Sequence, residues 1–342
     1  MEQEYTANPS RVSPPSEIIL LIVESLAPAR TNITLPPSHE ITKTLVALTR
    51  VCRAAAAAAS KLLWQFCSHI DSLKRLVDFR TALDYLPQDD TRRPTSLFLA
   101  VYEDDSDVPD VAWTPHNLPV PSPQFDDIQF ATAVQGLLLR VAPTLRRLVI
   151  HMPRLAQDHD RTFELLRVGY EALVNLEEFV SIGDRFSFAG FPRSAPDRDV
   201  WVTCWPKLRR LALDISLNKN VFKGLTRLPK LETVVFSFME YPVPQAAKFR
   251  DVLLRALNTY PVVPGIEERK LLNVGLFGGG CELSYAGTEE PNRRTRIWNI
   301  DAAVFADPNR PYESDNVRIL RGLERKISNG TLWEVSRWGL DD

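Results

Sequence analysis

The chain has 342 residues, of which 44% are hydrophobic and 25% are charged, a composition typical of a folded globular protein. The length predicts one large domain and a smaller one. A formal net charge of −2 at pH 7 argues against a general nucleic-acid-binding surface, which would need a basic surplus. No apolar run approaches the roughly 20 residues that cross a bilayer, and acidic residues precede the run from Ile18 to Val23, where a signal peptide would be basic. We therefore expect a cytoplasmic or nuclear protein with no nucleic-acid or membrane partner.

The first predicted element is a short helix that follows two consecutive prolines. Glu17 lies in its first turn, where the helix dipole favours an acidic side chain. One apolar stripe runs from Ile18 to Leu26, and Leu20 and Leu21 extend the apolar surface around the helix. A short helix that is apolar nearly all round has to be covered on two faces.

A polar linker with several prolines leads to a second segment, which we predict as one long helix from Ile41 to about Phe79. Seven residues share one face of this helix at spacings of three and four: Leu45, Leu48, Cys52, Ala55, Ala59, Leu62 and Phe66. The run of six alanines belongs to the helix, because alanine is the best helix former, and its small side chains let a neighbouring backbone come close. A coiled-coil seam is the alternative, although the apolar pattern is short for one.

After residue 90 the sequence changes to short apolar runs that are typical of strands. Six such runs are predicted as strands, over residues 95–102, 145–152, 176–183, 208–215, 231–238 and 271–278. Helical patterns lie between several of them, over 128–141, 161–174 and 245–260. The fold class is therefore α/β, with strands and helices in alternation.

Leucines open these strands at positions 145, 176, 208, 231 and 271, often just after a proline. The spacings are irregular, yet they cluster in the range of solenoid repeats. This layout predicts an irregular leucine-rich-repeat-like solenoid, with strands on one curved face and helices on the other. The alternative is a doubly wound α/β domain, which would usually carry a glycine-rich turn between a strand and a helix. The glycine-rich stretch 277–283 is not followed by a helical pattern, so we favour the solenoid.

Three further segments interrupt or end this pattern. Residues 103–127 hold seven acids and five prolines without any Lys or Arg, which predicts a solvated loop. Residues 183–200 mix arginines with phenylalanines, a combination enriched in interface hot spots. The candidate target-binding residues of this loop are Arg185, Phe186, Phe188, Phe191 and Arg193. The alternative is that the phenylalanines only hold the loop on the solenoid. Residues 279–342 are interpreted as a C-terminal cap, with Trp333 and Trp338 folded back onto the last repeat.

No catalytic or metal-binding motif is found. The four cysteines show no CxxC spacing, and the five histidines include no HExxH pair, so neither a zinc site nor a disulfide framework is indicated. No GxSxG turn is present. We therefore expect no catalytic residues, no metal and no cofactor.

The N-terminal residues resemble the F-box, a helical motif that opens on Pro-x-Glu-Ile, continues with Leu-x-x-Val-Cys-Arg and closes on Leu-Trp. The first half of the match consists of Pro15, Glu17, Ile18, Ile22 and Leu26. The second half consists of Leu45, Leu48, Val51, Cys52, Arg53, Leu63 and Trp64. An F-box followed by a leucine-rich-repeat-like solenoid is a combination common among fungal F-box proteins. The resemblance implies that these residues, Arg53 apart, bind a Skp-family adaptor, which links to a cullin-based ubiquitin ligase, while the solenoid recruits a protein target.

Two units are thus predicted, an F-box-like helical unit at 13–70 and the solenoid with its acidic loop and C-terminal cap at 71–342. The resemblance implies a non-catalytic, substrate-recognition adaptor of a ubiquitin ligase. A repeat scaffold whose N-terminal helices only cap the solenoid is one alternative, and an α/β-hydrolase-like enzyme is the other.

Overall fold

The structure is a computed structural model of the chain. It describes residues 15–29, 33–86, 93–102, 127–151, 160–181, 204–214, 228–237, 272–278, 288–289, 295–301 and 315–334. Within these ranges, no helix is both long and apolar enough to cross a membrane.

Three helices form an N-terminal helical unit: α1 (Ser16–Ser25), α2 (Glu40–Leu48) and α3 (Arg53–Phe66). The ring of His39 caps α2 by accepting a 3.1 Å hydrogen bond from the backbone N–H of Ile41. The six alanines all lie in α3, which contacts both α1 and α2. Their small side chains allow this approach, and Ala55 and Ala59 are completely buried.

The prediction of one long helix from Ile41 to Phe79 is wrong. The chain leaves the helix after Leu48, turns, and re-enters at Arg53 after an extended Cys52 with φ −158° and ψ 168°. It leaves again at Cys67 and forms β1 (His69–Ser72) before α4 (Leu73–Asp84). Apart from Cys52, which is exposed in the turn, the stripe of small and apolar residues nevertheless faces one shared core, because α2 and α3 fold back on each other. Its most buried members there are Leu45, Ala55, Ala59 and Leu62.

The rest of the described chain is built on one nine-stranded sheet. Its remaining strands are β2 (Ser96–Tyr102), β3 (Arg147–Ile150), β4 (Glu178–Ser181), β5 (Arg210–Asp214), β6 (Thr233–Ser237), β7 (Leu272–Gly278), β8 (Thr288–Glu289) and β9 (Thr295–Asp301). Neighbours from β1 to β7 follow chain order and are parallel; β9 is parallel to β7, and the short β8 pairs with β9 in the antiparallel sense.

The six predicted strands correspond to β2–β7, and the mixed α/β class is confirmed. The order of β1 to β7 never reverses, so this part of the sheet lacks the switch point of a doubly wound fold.

Helices α4, α5 (Asp127–Val141) and α6 (Asp160–Glu171) pack side by side, α4 on α5 and α5 on α6. The helices predicted over 128–141 and 161–174 are confirmed, whereas the one predicted over 245–260 lies outside the described residues. These helices cover one face of the sheet. That interface is the main core, and it contains the leucines of the turns before β3–β6: Leu145, Leu176, Leu208 and Leu231.

The other face of the sheet is called here the strand face. It carries a polar row formed by Ser96, Arg147, Glu178 and Arg210, which are aligned in register on neighbouring strands. It also carries an apolar row formed by Val149, Val180, Ala212 and Val235, aligned in the same way and each at most 2% exposed.

The strand face lies beneath the C-terminal part of the chain. The helix α7 (Asp315–Ser328) contacts β7, and the Ile327 carbonyl accepts a 3.5 Å hydrogen bond from Arg147 on β3. Trp333 donates a hydrogen bond to Glu178 on β4. Trp333 therefore contacts the middle of the sheet, and its predicted placement on the last repeat is wrong; Trp338 lies outside the described residues.

Candidate protein-docking surface

The N-terminal helical unit exposes a set of large apolar side chains, called here the docking surface. Three lie on α1, one on α2 and one in the turn between α2 and α3: Ile18, Leu21, Ile22, Val46 and Val51. Their exposed fractions range from 42% to 62%. Single exposed apolar residues are ordinary on protein surfaces, but three within five residues of one short helix, α1, indicate a candidate interaction site.

The two sides of α1 differ in burial. Val23 is completely buried against α3, and Ile19 and Leu26 pack around it at helical spacing. Ile18 and Ile22 are one turn apart on a different side of the helix and remain exposed. The sequence predicts that α1 needs cover on two faces, and among the described residues the structure shows one of them covered, the side around Val23.

The predicted partner-binding residues divide into two groups by burial. The exposed group consists of Pro15, Glu17, Ile18, Ile22, Val51 and Cys52. The other group is buried or half-buried and consists of Leu26, Leu45, Leu48, Leu63 and Trp64. Members of the second group build the unit, since Leu45 lies in its core with Leu26, Leu48 and Leu63 packed around it.

Leu21 and Val46 belong to the docking surface although they are not among the predicted partner-binding residues. The signal for Leu21 was available in the sequence, because it adds apolar surface outside the main stripe of α1. Val46 could not be found in the same way. One long helix was predicted for this segment, and which side of a shorter α2 faces outward depends on how α2 and α3 fold together.

The polar groups of the unit have structural roles. Lys43 lies 2.7 Å from Oε1 of Glu40, and this hydrogen bond and the charge of Lys43 lower the pKa of the Glu40 carboxyl. The thiol of Cys67 accepts a 3.4 Å hydrogen bond from the Thr42 hydroxyl, while burial raises the pKa of Cys67. Cys52 is exposed at the start of α3. The contacts of Glu40, Lys43, Thr42 and Cys67 are hydrogen bonds and an ion pair within the unit, and none of these groups forms a nucleophile–base pair.

Several contacts fix the helical unit to the sheet. The backbone N–H of Leu35 in the linker donates a 2.6 Å hydrogen bond to the Phe66 carbonyl at the end of α3. The buried hydroxyl of the preceding residue, Thr34, lies 2.7 Å from that of Ser96 on β2, so the same linker segment joins α3 to the sheet. The ring of Trp64 lies 5.1 Å from that of Phe79 and packs against the main core. The boundary predicted at residues 70 and 71 falls inside β1. The docking surface is therefore held in one orientation relative to the sheet.

A charged groove of about 480 Å³ lies where β4–β6 begin. It is lined by Glu177, Lys207, Arg209, Pro229, Lys230, Leu231 and Glu232. Its charges are largely paired, since Arg209 contacts both carboxylate oxygens of Glu232 at 2.9 Å and Lys207 donates to the side chain of Asn175. Within the described ranges, no group of three or more His, Cys, Asp or Glu side chains is placed to hold a metal ion. The predicted target-binding loop, Arg185 to Arg193, lies outside the described residues.

Comparison with known proteins gives no match, either to a protein-family model or to a curated protein.

Proposed function

We propose that this chain is a substrate-recognition adaptor of a Skp/cullin/F-box ubiquitin ligase. In this proposal the N-terminal helical unit is an F-box that binds a Skp-family adaptor through the docking surface. The sheet and its helices form a leucine-rich-repeat-like solenoid that recruits a protein target. The chain itself is non-catalytic.

The observation that carries the proposal is the exposed apolar side of α1 on a unit with the residue order of an F-box. Ile18, the last residue of the Pro-x-Glu-Ile opening, and Ile22, one helical turn later, lie on that side. Burying a large aliphatic side chain contributes roughly 1.5–3 kcal/mol, so such anchors would supply a substantial part of the free energy of binding. The sequential parallel order of β1–β7 supports the solenoid part, because each repeat of a solenoid contacts only its neighbours.

A second candidate is a repeat scaffold in which the helices close the open end of the solenoid. The packing of Trp64 against the main core favours it, because this side chain is used inside the molecule. The two candidates differ in what they require of α1. A cap needs only its inward face, around Val23, whereas an adaptor also needs Ile18 and Ile22.

The experiment is co-purification of the intact chain with a Skp-family adaptor, beside the variant Ile22→Asp. Ile22 is 53% exposed, so a charge there should leave the unit folded and remove the complex. Leu48→Asp is a weaker test because Leu48 packs against the unit's own core. The matched control is Val174→Asp, which places the same charge at an apolar residue that is 47% exposed just beyond α6.

The adaptor proposal expects a one-to-one complex with the wild type and with the control, and its loss in Ile22→Asp. Circular dichroism should show that all three chains are folded. If a folded, monomeric wild type forms no complex, the adaptor proposal fails and the scaffold takes its place. A complex that Ile22→Asp leaves unchanged would show that the docking surface is not where the adaptor binds.

A further inference from the structure

The strand face carries a row of small and medium aliphatic side chains on β3–β6. Over these strands its apolar row consists of three valines and Ala212, so this stretch of the row has no large side chain, and Phe98 on β2 continues the row at one end. Val149, Val180 and Val235 are nevertheless as buried as the main core on the opposite side of the sheet. A row of small and medium aliphatic side chains lets a helix approach the sheet closely.

In this structure α7 lies on the strand face, where it contacts β7 and its Ile327 carbonyl binds Arg147 of the polar row. Its buried residues Ile319, Leu323 and Ile327 are four positions apart, which places them on one side of the helix. The helix has 14 residues and is therefore about 21 Å long. The strands it contacts, β3 and β7, are separated by four strand spacings, or about 19 Å. The helix thus runs across the strands, and its length matches the width that it covers.

The polar row of the strand face has its own partners apart from α7. The guanidinium of Arg147 donates to the Thr34 hydroxyl at 2.7 Å and to that of Ser96 at 3.3 Å, and it lies 3.4 Å from the Glu178 carboxylate. Glu178 also pairs with Arg210. If α7 left the face, these groups would keep partners on the sheet and in the linker. Departure of the helix would therefore leave Arg147 and Glu178 paired with each other, which avoids the large cost of a buried unpaired charge at these two residues.

We propose that the strand face is a binding site for an amphipathic helix, and that α7 occupies it as an intramolecular ligand. The partner it fits is a protein segment with aliphatic residues at positions i, i+4 and i+8, which competes with α7 for the apolar row. Such recognition of an amphipathic helix by a matching apolar surface is a common mode of peptide binding. The site does not rest on the proposed adaptor function, since none of its residues belongs to the docking surface.

The test is the binding of a fluorescent peptide of residues 315–334 to the full-length chain and to two variants. Leu323→Asp places a charge in the buried stripe of α7 and should release the helix from the sheet. Arg325→Asp places the same charge at an exposed position of the same helix and serves as the control. We expect saturable binding to the Leu323→Asp chain at least about tenfold tighter than to the wild type or the control, because competition by the intramolecular helix is lost. Equal binding to all three chains, or no binding to any, would overturn the proposal.

Hydrogen exchange on the wild-type chain tests the same proposal without relying on the folding of a variant. A helix that a partner can displace also detaches from the sheet on its own. The free energy of opening measured by hydrogen exchange should therefore be lower for the amides of α7 than for those of β3–β5. If α7 and these strands exchange only together, in one global opening, α7 is an integral layer of the fold and the proposal is wrong.

Discussion

The indole Nε1 of Trp333 donates a 3.0 Å hydrogen bond to Oε2 of Glu178, although 155 residues separate the two along the chain. The same carboxylate pairs with Arg147 on β3 and with Arg210 on β5. Glu178 is thus the one acidic side chain between two arginines of the polar row, and it also binds the segment that follows α7. Removing its charge should affect three parts of the fold together.

Glu178→Gln should lower the free energy of unfolding by about 3–5 kcal/mol, because it leaves the buried charge of Arg147 without its anion. The control is Glu177→Gln at the neighbouring position, where the carboxylate lies 3.6 Å from a largely exposed Arg146. A surface pair of that kind contributes less than about 1 kcal/mol. Urea unfolding of both variants gives the comparison. Equal losses would show that the polar row is not a buried ion network.

Two helical glycines should respond in opposite directions to an alanine substitution. At Gly169 in α6, a new Cβ would lie 3.0 Å from Cδ1 of Leu138 and 3.3 Å from the backbone of Gln135 in α5. This crowding costs about 1–3 kcal/mol and should outweigh the gain in helix propensity. At Gly136 the nearest atoms are 3.7 Å or more away and belong to flexible arginine side chains. Gly136→Ala should therefore stabilise the chain by up to about 1 kcal/mol.

Thermal unfolding of the two glycine variants and the wild type measures this contrast. A stabilised Gly169→Ala chain would mean that α5 and α6 can separate without loss, contrary to their close packing. A destabilised Gly136→Ala chain would contradict the open space around that residue.

Cys52 should react with iodoacetamide about tenfold faster or more than Cys67, because Cys52 is exposed whereas burial reduces access to Cys67 and raises its pKa. Peptide mass mapping after timed alkylation reads each cysteine separately. Under the adaptor proposal, a bound Skp-family adaptor should also slow the reaction at Cys52. Equal rates at the two cysteines in the free chain would contradict the packing of α2 against α3.

The strands could be predicted from the sequence because each is an apolar run that follows a leucine-led turn. Leu145, Leu176 and Leu208 are completely buried at these turns, so the same pattern recurs for a physical reason. β1 could not be predicted in this way. It has four residues, of which only Ile70 is fully buried, and it is a strand because it pairs with β2. Such pairing depends on contacts that a local pattern does not contain.

The candidate sites show the same division. Ile18 and Ile22 could be recognised because they lie in a continuous motif next to the start of α1. The occupation of the strand face could not, since it depends on the return of residues 315–334 to strands far away in sequence. The sequence predicts Trp333 on the last repeat of the solenoid, because that repeat is the one nearest to it along the chain. It lies instead where Glu178 offers a partly buried acceptor for its N–H group.

His151 should make the stability of the chain depend on pH. It follows β3, and burial lowers its pKa from the ordinary value of 6.5 to about 4. In the unfolded chain the imidazole takes up a proton near its ordinary pKa, whereas in the folded chain it stays neutral down to about pH 4. The unfolded state therefore binds more protons between these values, and stability falls as the pH drops through this window. The expected loss is on the order of 3 kcal/mol.

The measurement is urea unfolding of the wild type and of His151→Gln at several pH values from about 7 to about 4. Carboxylates contribute equally to both chains, so the difference between the two isolates the imidazole. His69 is present in both chains. Burial lowers its pKa, while the charge of Asp71 raises it in part. The stability advantage of the wild type should shrink by roughly 3 kcal/mol across the window. Parallel curves would show that the imidazole of His151 is protonated as readily in the folded chain as in the unfolded one.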